Sequence, residues 1–369
     1  MVFNQKLLKE WLDNGVPING LDCAGQVFSQ WDFSGIVFDQ VDFSGAKFLD
    51  VRFEQSVFNE CNFNGAEFIG CHAEQALFNH CEMTQLSIDD CFLYETKWQA
   101  SSLTQGQIKQ SYLKEAAFLN SSLEKVTLSN LDLSETLFAN TVFASTRFIR
   151  CQLYKSIFYD LDCRGLHLED CLLKHIVWSK SNLKGLNFEA MDLSLCVFTE
   201  CDLSLSSFKH SNLSQASFKG ANLEKANFDG VKAPFAVFVE AYGNELSAQF
   251  AEFRQAVFVE ADFEQAKFNH SDLAMTVWHK ANAFECDFTA CNLDHTDFSF
   301  SNLTKSKFEQ AAFFQTRFHR ALTDQADLKT QAGALEKDDA LYEAELWSEQ
   351  YRQLPQYSRH TTAFKRSES

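Results

Sequence analysis

From Phe28 to Phe318, almost every fifth residue of this chain is Phe, Leu, Ile, Met or Trp. Of the 38 phenylalanines, 30 fall on that single register, beginning Phe28, Phe33, Phe38, Phe43, Phe48 and Phe53. A period of five matches neither the helical nor the strand repeat, so neither element alone can bury these side chains on one face. Two positions earlier the residue is mostly small, as at Ala46, Cys61, Ala66, Cys71, Ser211, Ala216 and Ala226, and the remaining positions are mostly polar. Such a unit fits one side of a square coil, with its large central residue and its small residue both pointing inward. Four sides per coil require positions 20 apart to stack. The column Phe38, Phe58, Phe78, Trp98 and onward to Phe318 is aromatic in fifteen cases out of fifteen. A quarter-turn away the column runs Leu93, Leu113, Leu133, Leu153, Leu173, Leu193, Leu213. The two periods predict an all-β solenoid with alternating aromatic and leucine walls.

The unit, plain in DFSGA (Asp42 to Ala46) and ANLEKANFDG (Ala221 to Gly230), resembles that of the pentapeptide-repeat family, A-[DN]-[LF]-x-x. The resemblance covers about residues 21–321 and implies a right-handed quadrilateral β-helix. About 15 coils at a strand spacing of ~4.8 Å give a rod about 70 Å long. The chain then divides into a capping helix and turn (1–20), the β-helix (21–321), and a helical cap with a polar tail (322–369). Caps are expected because the terminal coils of a solenoid leave core and strand edges open. Phe3, Leu7, Leu8, Trp11 and Leu12 share one side of a helix over 3–14, which Asn14-Gly15 ends. Ala340, Ala344, Trp347, Tyr351 and Leu354 recur at helical spacing over 335–354, before Pro355. That seam serves either as a cap or as a dimer or partner surface, leaving the protein a monomer or a homodimer through an end. The repeat weakens at Ala233, Gly243 and Ala248, beside Pro234, so an irregular coil is expected over 231–252.

The same register explains the twelve cysteines. Ten occupy the small inward site and two, Cys23 and Cys163, occupy centres, where they act as small buried hydrophobes. Pairs one coil apart, such as Cys71 and Cys91, have neighbouring sulfurs. With no C-x-x-C pair and no zinc-like His–Cys spacing, no metal is expected, and the free thiols suit a reducing compartment, the cytoplasm. Phosphate loops, G-x-S-x-G and H-E-x-x-H are missing from the sequence. Histidines such as His80, His175 and His270 form no column with carboxylates, and a regular rod offers no cleft in which to shift a carboxyl pKa. Neither an enzyme nor a cofactor is expected. Fifty acidic against 32 basic side chains, a net charge of −18, argue against direct nucleic-acid binding. No run approaches the ~18 apolar residues of a membrane span, and charges interrupt MVFNQKLLKEWLDNG where a secretory signal would be apolar.

What remains is the surface. The residue just before each centre points outward and is mostly polar on three faces. On the aromatic-walled face it is apolar at eleven of fifteen levels, giving a candidate protein-binding stripe of Val37, Val57, Leu77, Leu137, Ile157, Val177, Val197, Val237, Val257 and Val277, together with Ala117. Strand preference alone would act on all four faces, so the stripe reads as a docking surface. A protein-interaction scaffold or adaptor is the function this suggests. Leu7-Leu8, Gly20-Leu21-Asp22 and Ser34-Gly35 also resemble the start of pentapeptide-repeat proteins encoded beside bacterial type VI secretion components, although Cys23 and Ala24 depart from that pattern. The resemblance implies a secretion component or effector as partner. Other members of the family modulate type II topoisomerases such as DNA gyrase by imitating duplex DNA, which makes DNA gyrase the alternative partner. Here the 39 acidic and 24 basic residues of 21–321 give one net charge per ~5 Å, against one per ~1.7 Å in duplex DNA.

Overall fold

The small residue, the outward Asp or Asn and the large centre each have a structural reason that is visible in the computed structural model, which describes residues 3–328, 332–335 and 337–352. At the small site a hydroxyl or thiol donates to the carbonyl of a centre one coil back, as Ser56 Oγ does to Phe33 O (2.7 Å), Thr146 Oγ1 to Leu123 O (2.7 Å) and Cys286 Sγ to Phe263 O (2.9 Å). Small polar residues are thereby tolerated in the interior. The outward Asp or Asn accepts from the backbone N–H two residues on, as Asp42 does from Ser44 (2.9 Å) and Asn62 from Asn64 (3.0 Å), which fixes the turn at each corner. The same side chains also bond along the rod, as Asn62 to Asp42 (3.0 Å) and Asn282 to Asp262 (2.8 Å).

These units stack into a parallel β-solenoid of about 16 turns with two short helices. Every bridge within the repeat joins residues 20 apart, from Ile18↔Phe38 and Asp22↔Asp42 through to Lys307↔Asp327. The centres form one continuous core. Phe38, Phe58 and Phe78 stack at 5.0 Å, and Phe258 stacks on Trp278 at 4.1 Å. Neighbouring walls meet edge to face, as at Phe218 and Phe228 (5.5 Å, 70°), the geometry ring quadrupoles favour.

Every fifth residue from 15 to 325 sits at a corner with φ near +60°, and 52 of these residues are not glycine. That conformation costs an L-residue about 1–2 kcal/mol. The hydrogen bonds between coils hold the corners there, as at Gln55 N to Glu74 O (2.9 Å).

The coil over 231–252 is regular, contrary to the expectation from its weak consensus. Lys232↔Glu252, Val237↔Val257, Tyr242↔Asp262 and Ser247↔Lys267 continue the ladder without a break. Gly243 leaves room for the Phe263 ring of the next coil, whose edge occupies the space a Cβ would take. Ala233 and Ala248 likewise precede Phe253 and Phe268 in their columns, so a small centre is matched by a large one a coil later.

The irregularity lies elsewhere. Up to Glu169 and Thr199 two of the four faces carry three-residue strands, in sheets of eight and ten. Past that point each side makes a single bridge followed by a turn. Near this change the ladder is interrupted between Val142 and Asp162, between His167 and Asn187, and between Leu172 and Asp192. Two open clefts mark the breaks. One, of about 310 Å³, is lined by Thr141, Val142 and Asp162; the other, of about 560 Å³, by His167, Leu168, Asn187 and Met191. The small inward site here holds a cluster of bulky residues, Leu161, Leu166, Ile176, Leu186 and Met191. Isolated bulky residues at that site, such as Leu131 and Leu246, leave the ladder intact, so the break coincides with their crowding.

Helix α1 (Gln5–Asp13) closes the first coil. Asn4 caps it by accepting from Lys6 and Leu7, Leu8 is buried, and Phe3 meets Phe28 edge-on at 5.9 Å. Helix α2 (Asp339–Arg352) follows a two-residue strand, Ala334–Leu335, that pairs with Thr316–Arg317.

Candidate functional site

The ten stripe residues form one in-register column on the aromatic-walled face, bridged from Val37↔Val57 to Val257↔Val277. They point outward, but stacking half-buries nine of them; Ile157 is the exception at 41 % exposed. Each therefore offers an edge rather than a free side chain. Helix α2 does not cover them: the groove beside it is lined by Asp297, Arg317, His319 and Leu335, at the charged end of the column.

Sequence reasoning missed a second apolar band on the preceding, leucine-walled face. Phe92, Tyr94, Tyr112, Tyr154 and Leu172 are 36–65 % exposed there. His72, Phe92 and Tyr112 stack as a ladder at 4.7 and 5.2 Å. The column of residues just before the leucine centres carried this signal; it was diluted by Asp132, Gln152 and Asp192 in the same column.

At the C-terminal helix, Tyr342, Glu345 and Leu346 face the rod. Glu345 bonds His319 Nε2 (3.2 Å) and Arg320 Nη1 (3.1 Å), while the Arg320 guanidinium lies 5.3 Å from the Tyr342 ring. Ala340, Ala344 and Trp347 lie on the exposed side, Trp347 at 63 %. The described residues of the predicted seam thus lie away from the side that carries the Glu345 ion pairs and the Tyr342 cation–ring contact. The Tyr351 side chain and Leu354 lie outside the described residues.

Glu54, His72 and Glu74 gather ligand-type atoms within 4.8 Å of one another, a single local cluster rather than a column of histidines and carboxylates. Glu54 is already engaged by Ser34 Oγ (2.6 Å) and Arg52 Nε (3.1 Å). Against the upward push of burial, those bonds hold its carboxyl below the usual range. Elsewhere acidic groups pair with a base one coil away, as Lys47–Glu67 (3.0 Å), Lys109–Asp89 (3.1 Å) and Lys305–Glu285 (3.0 Å). Such rungs place a base within several of the acidic columns.

Eleven cysteines are buried, and Cys171, beside the interrupted ladder, is half-buried. Burial pushes the Cys196, Cys201 and Cys291 thiols up to about 12. A hydrogen bond with Cys151, one coil away, brings Cys171 down to about 7 against the opposing effect of burial. Cys71, lowered in the same way by Cys91, is fully enclosed. A thiol that is both accessible and partly ionised reacts first. Alkylation of the folded protein at neutral pH should therefore modify Cys171 about tenfold faster than any other cysteine. Peptide mass spectrometry checks this; earlier labelling of Cys71 would show that access is not what decides.

The pentapeptide-repeat profile (eight copies) matches residues 22–59, 108–159, 201–233, 247–276 and 284–320, more than half of the chain, and a related pentapeptide-repeat-region profile matches 52–128. The chain belongs to the pentapeptide-repeat family. In the unmatched stretch between 159 and 201, bulky residues fill five of the eight small sites. No curated protein is significantly similar to the chain. Similar solved structures include HetL, a pentapeptide-repeat protein involved in heterocyst differentiation regulation from the cyanobacterium Nostoc sp. strain PCC 7120 (18% identity, 67% of this chain and 90% of that one, TM-score 0.24). Another is a trypsin-treated variant of QnrB1, a plasmid-mediated fluoroquinolone resistance protein (20% identity, 49% and 89%, TM-score 0.27). A third is Rfr23 from the cyanobacterium Cyanothece 51142 (15% identity, 40% and 91%, TM-score 0.16). At these identities and scores they carry no argument about function.

Proposed function

We propose that this protein is a non-enzymatic scaffold that binds another protein along its aromatic-walled face. The supporting observation is the stripe itself: an uninterrupted in-register column whose outward residues are apolar from Val37 to Val277 except at Lys97 and Ser217. A flat ladder of half-buried β-branched edges suits an extended or flat partner surface, because it presents area without loose side chains to order on binding. The finer reading, a component or effector of a type VI secretion apparatus as partner, rests on the similarity carried by Leu7-Leu8 and Gly20-Leu21-Asp22. The cytoplasm as its place of action rests on the free thiols. Among the described residues no helix is long and apolar enough to cross a membrane.

The test places a photo-crosslinking residue at Val237 or Val257 and, as a control, at Lys232 on the neighbouring face, in cells of the source organism. Cross-links to one defined protein from the two stripe positions, lost when the flanking Val197→Glu/Val277→Glu changes are added without altering the melting temperature, are the expected result. Equal cross-linking from Lys232, or none from the stripe, overturns the reading. Recovery of DNA gyrase subunits from both faces would replace it with the topoisomerase alternative.

A further inference from the structure

We propose that two copies of this chain lie side by side and antiparallel, along the edge between the leucine-walled and aromatic-walled faces. The two-fold axis passes between the levels of Glu135 and Lys155. This does not rest on the scaffold reading, whose test lies farther along the rod, at Val237 and Val257.

Open apolar surface is concentrated along this edge. Phe92, Tyr112, Tyr154, Ile157 and Leu172 are 40–65 % exposed, and all lie on these two adjoining faces across five coils. Their backbones are fixed in the coil, and Phe92 is stacked between His72 and Tyr112. Little side-chain freedom is therefore lost on contact. With large side chains of about 200 Å², half of it open, the five present roughly 500 Å² per copy. Two copies reach about 1,000 Å² before any rim is counted, the scale of a specific interface.

Charge sets the direction. The corner residues along this edge read Glu95, Glu115, Glu135, then Lys155 and His175, with Lys174 beside the last. The edge is acidic toward one end and basic toward the other. A parallel neighbour would set acid on acid, whereas an antiparallel one sets acid on base. With the axis placed as above, Glu135 meets Lys155 of the second copy and Glu115 meets its His175. Leu137 meets the second copy's Ile157, and Tyr112 its Leu172, and each pairing occurs twice. Lys114, paired with Glu115 at 3.5 Å, comes opposite Lys174, so the charge match is carried by Glu135 and Lys155. Apolar and ionic pairings thus agree on one axis.

Sedimentation velocity and light scattering on the full chain, under reducing conditions, test this. The wild type should have the mass of two chains at micromolar concentration. Glu135→Lys or Lys155→Glu alone should weaken association about tenfold, and the double variant should restore it, because the swap recreates both pairs. A photo-crosslinker at Tyr112 should recover the peptide carrying Leu172 of another chain. Both corner residues are exposed, so circular dichroism should confirm that the variants stay folded, with Glu135→Gln as a milder check. A single-chain mass at these concentrations, a double variant no tighter than the singles, or a dimer dissolved by Trp347→Ala instead overturns the proposal.

Discussion

Trp278→Ala should lower stability by about 3–5 kcal/mol, the range for removing a fully buried large aromatic side chain. Trp278 is completely enclosed, stacks on Phe258 at 4.1 Å and meets Phe268 and Phe288 edge-on at 5.2 and 5.5 Å. Neighbouring coils cannot collapse into the space, because their spacing is set by the backbone ladder. A milder pair of variants separates packing from hydrogen bonding. The Trp278 indole N–H donates to Thr276 Oγ1 at 3.0 Å, whereas the buried indole nitrogen of Trp178 has no protein partner. Trp178→Phe removes an unsatisfied donor, while Trp278→Phe strands an acceptor. The second should cost about 1–2 kcal/mol more than the first. Urea unfolding followed by far-UV circular dichroism checks both; equal losses would mean that water satisfies Trp178.

Gly243→Leu should cost about 1–3 kcal/mol, and unusually it should be rescued by shrinking a phenylalanine one coil later. Gly243 does not have a positive φ; it is required for space, because the Phe263 ring edge lies where its Cβ would be. Phe263→Ala alone opens a cavity and should cost about 3–5 kcal/mol. In the double variant the introduced leucine refills part of that cavity, so the combined loss should be smaller than the two single losses together. Simple additivity in the same unfolding measurement would show that the two positions do not share one space.

The contrast between this coil and the real break shows how far the sequence could be read. Gly243, Ala233 and Ala248 depart from the pattern at the centre, yet they are harmless because a Phe follows each in its column. Leu161, Leu166, Ile176, Leu186 and Met191 depart at the small site, and the ladder breaks where they crowd together, whereas the isolated Leu131 and Leu246 are absorbed. Both departures are visible in the letters. Which one the coil can absorb depends on the distance between stacked backbones. The stripe was legible as a column, but its half-burial was not. The band of Phe92, Tyr112 and Leu172 went unread because a column with polar members looks ordinary until its exposure is known.

The sequence by itself determined the inside of this protein. Periods of five and twenty assign every residue to a face, and the assignment is robust because shifting by one residue would expose the whole core. The same letters determined that small polar residues would line the interior, since each has a carbonyl within reach one coil away. Only the tertiary structure decided the corners, the break and the surface. At the corners 52 residues other than glycine adopt a left-handed conformation that their local preference opposes. They are held there by hydrogen bonds to residues about twenty positions away. The opening of Cys171 to solvent and the acid-to-base edge running past Glu135 and Lys155 come from how coils stack, because exposure belongs to neighbours in space rather than in the chain.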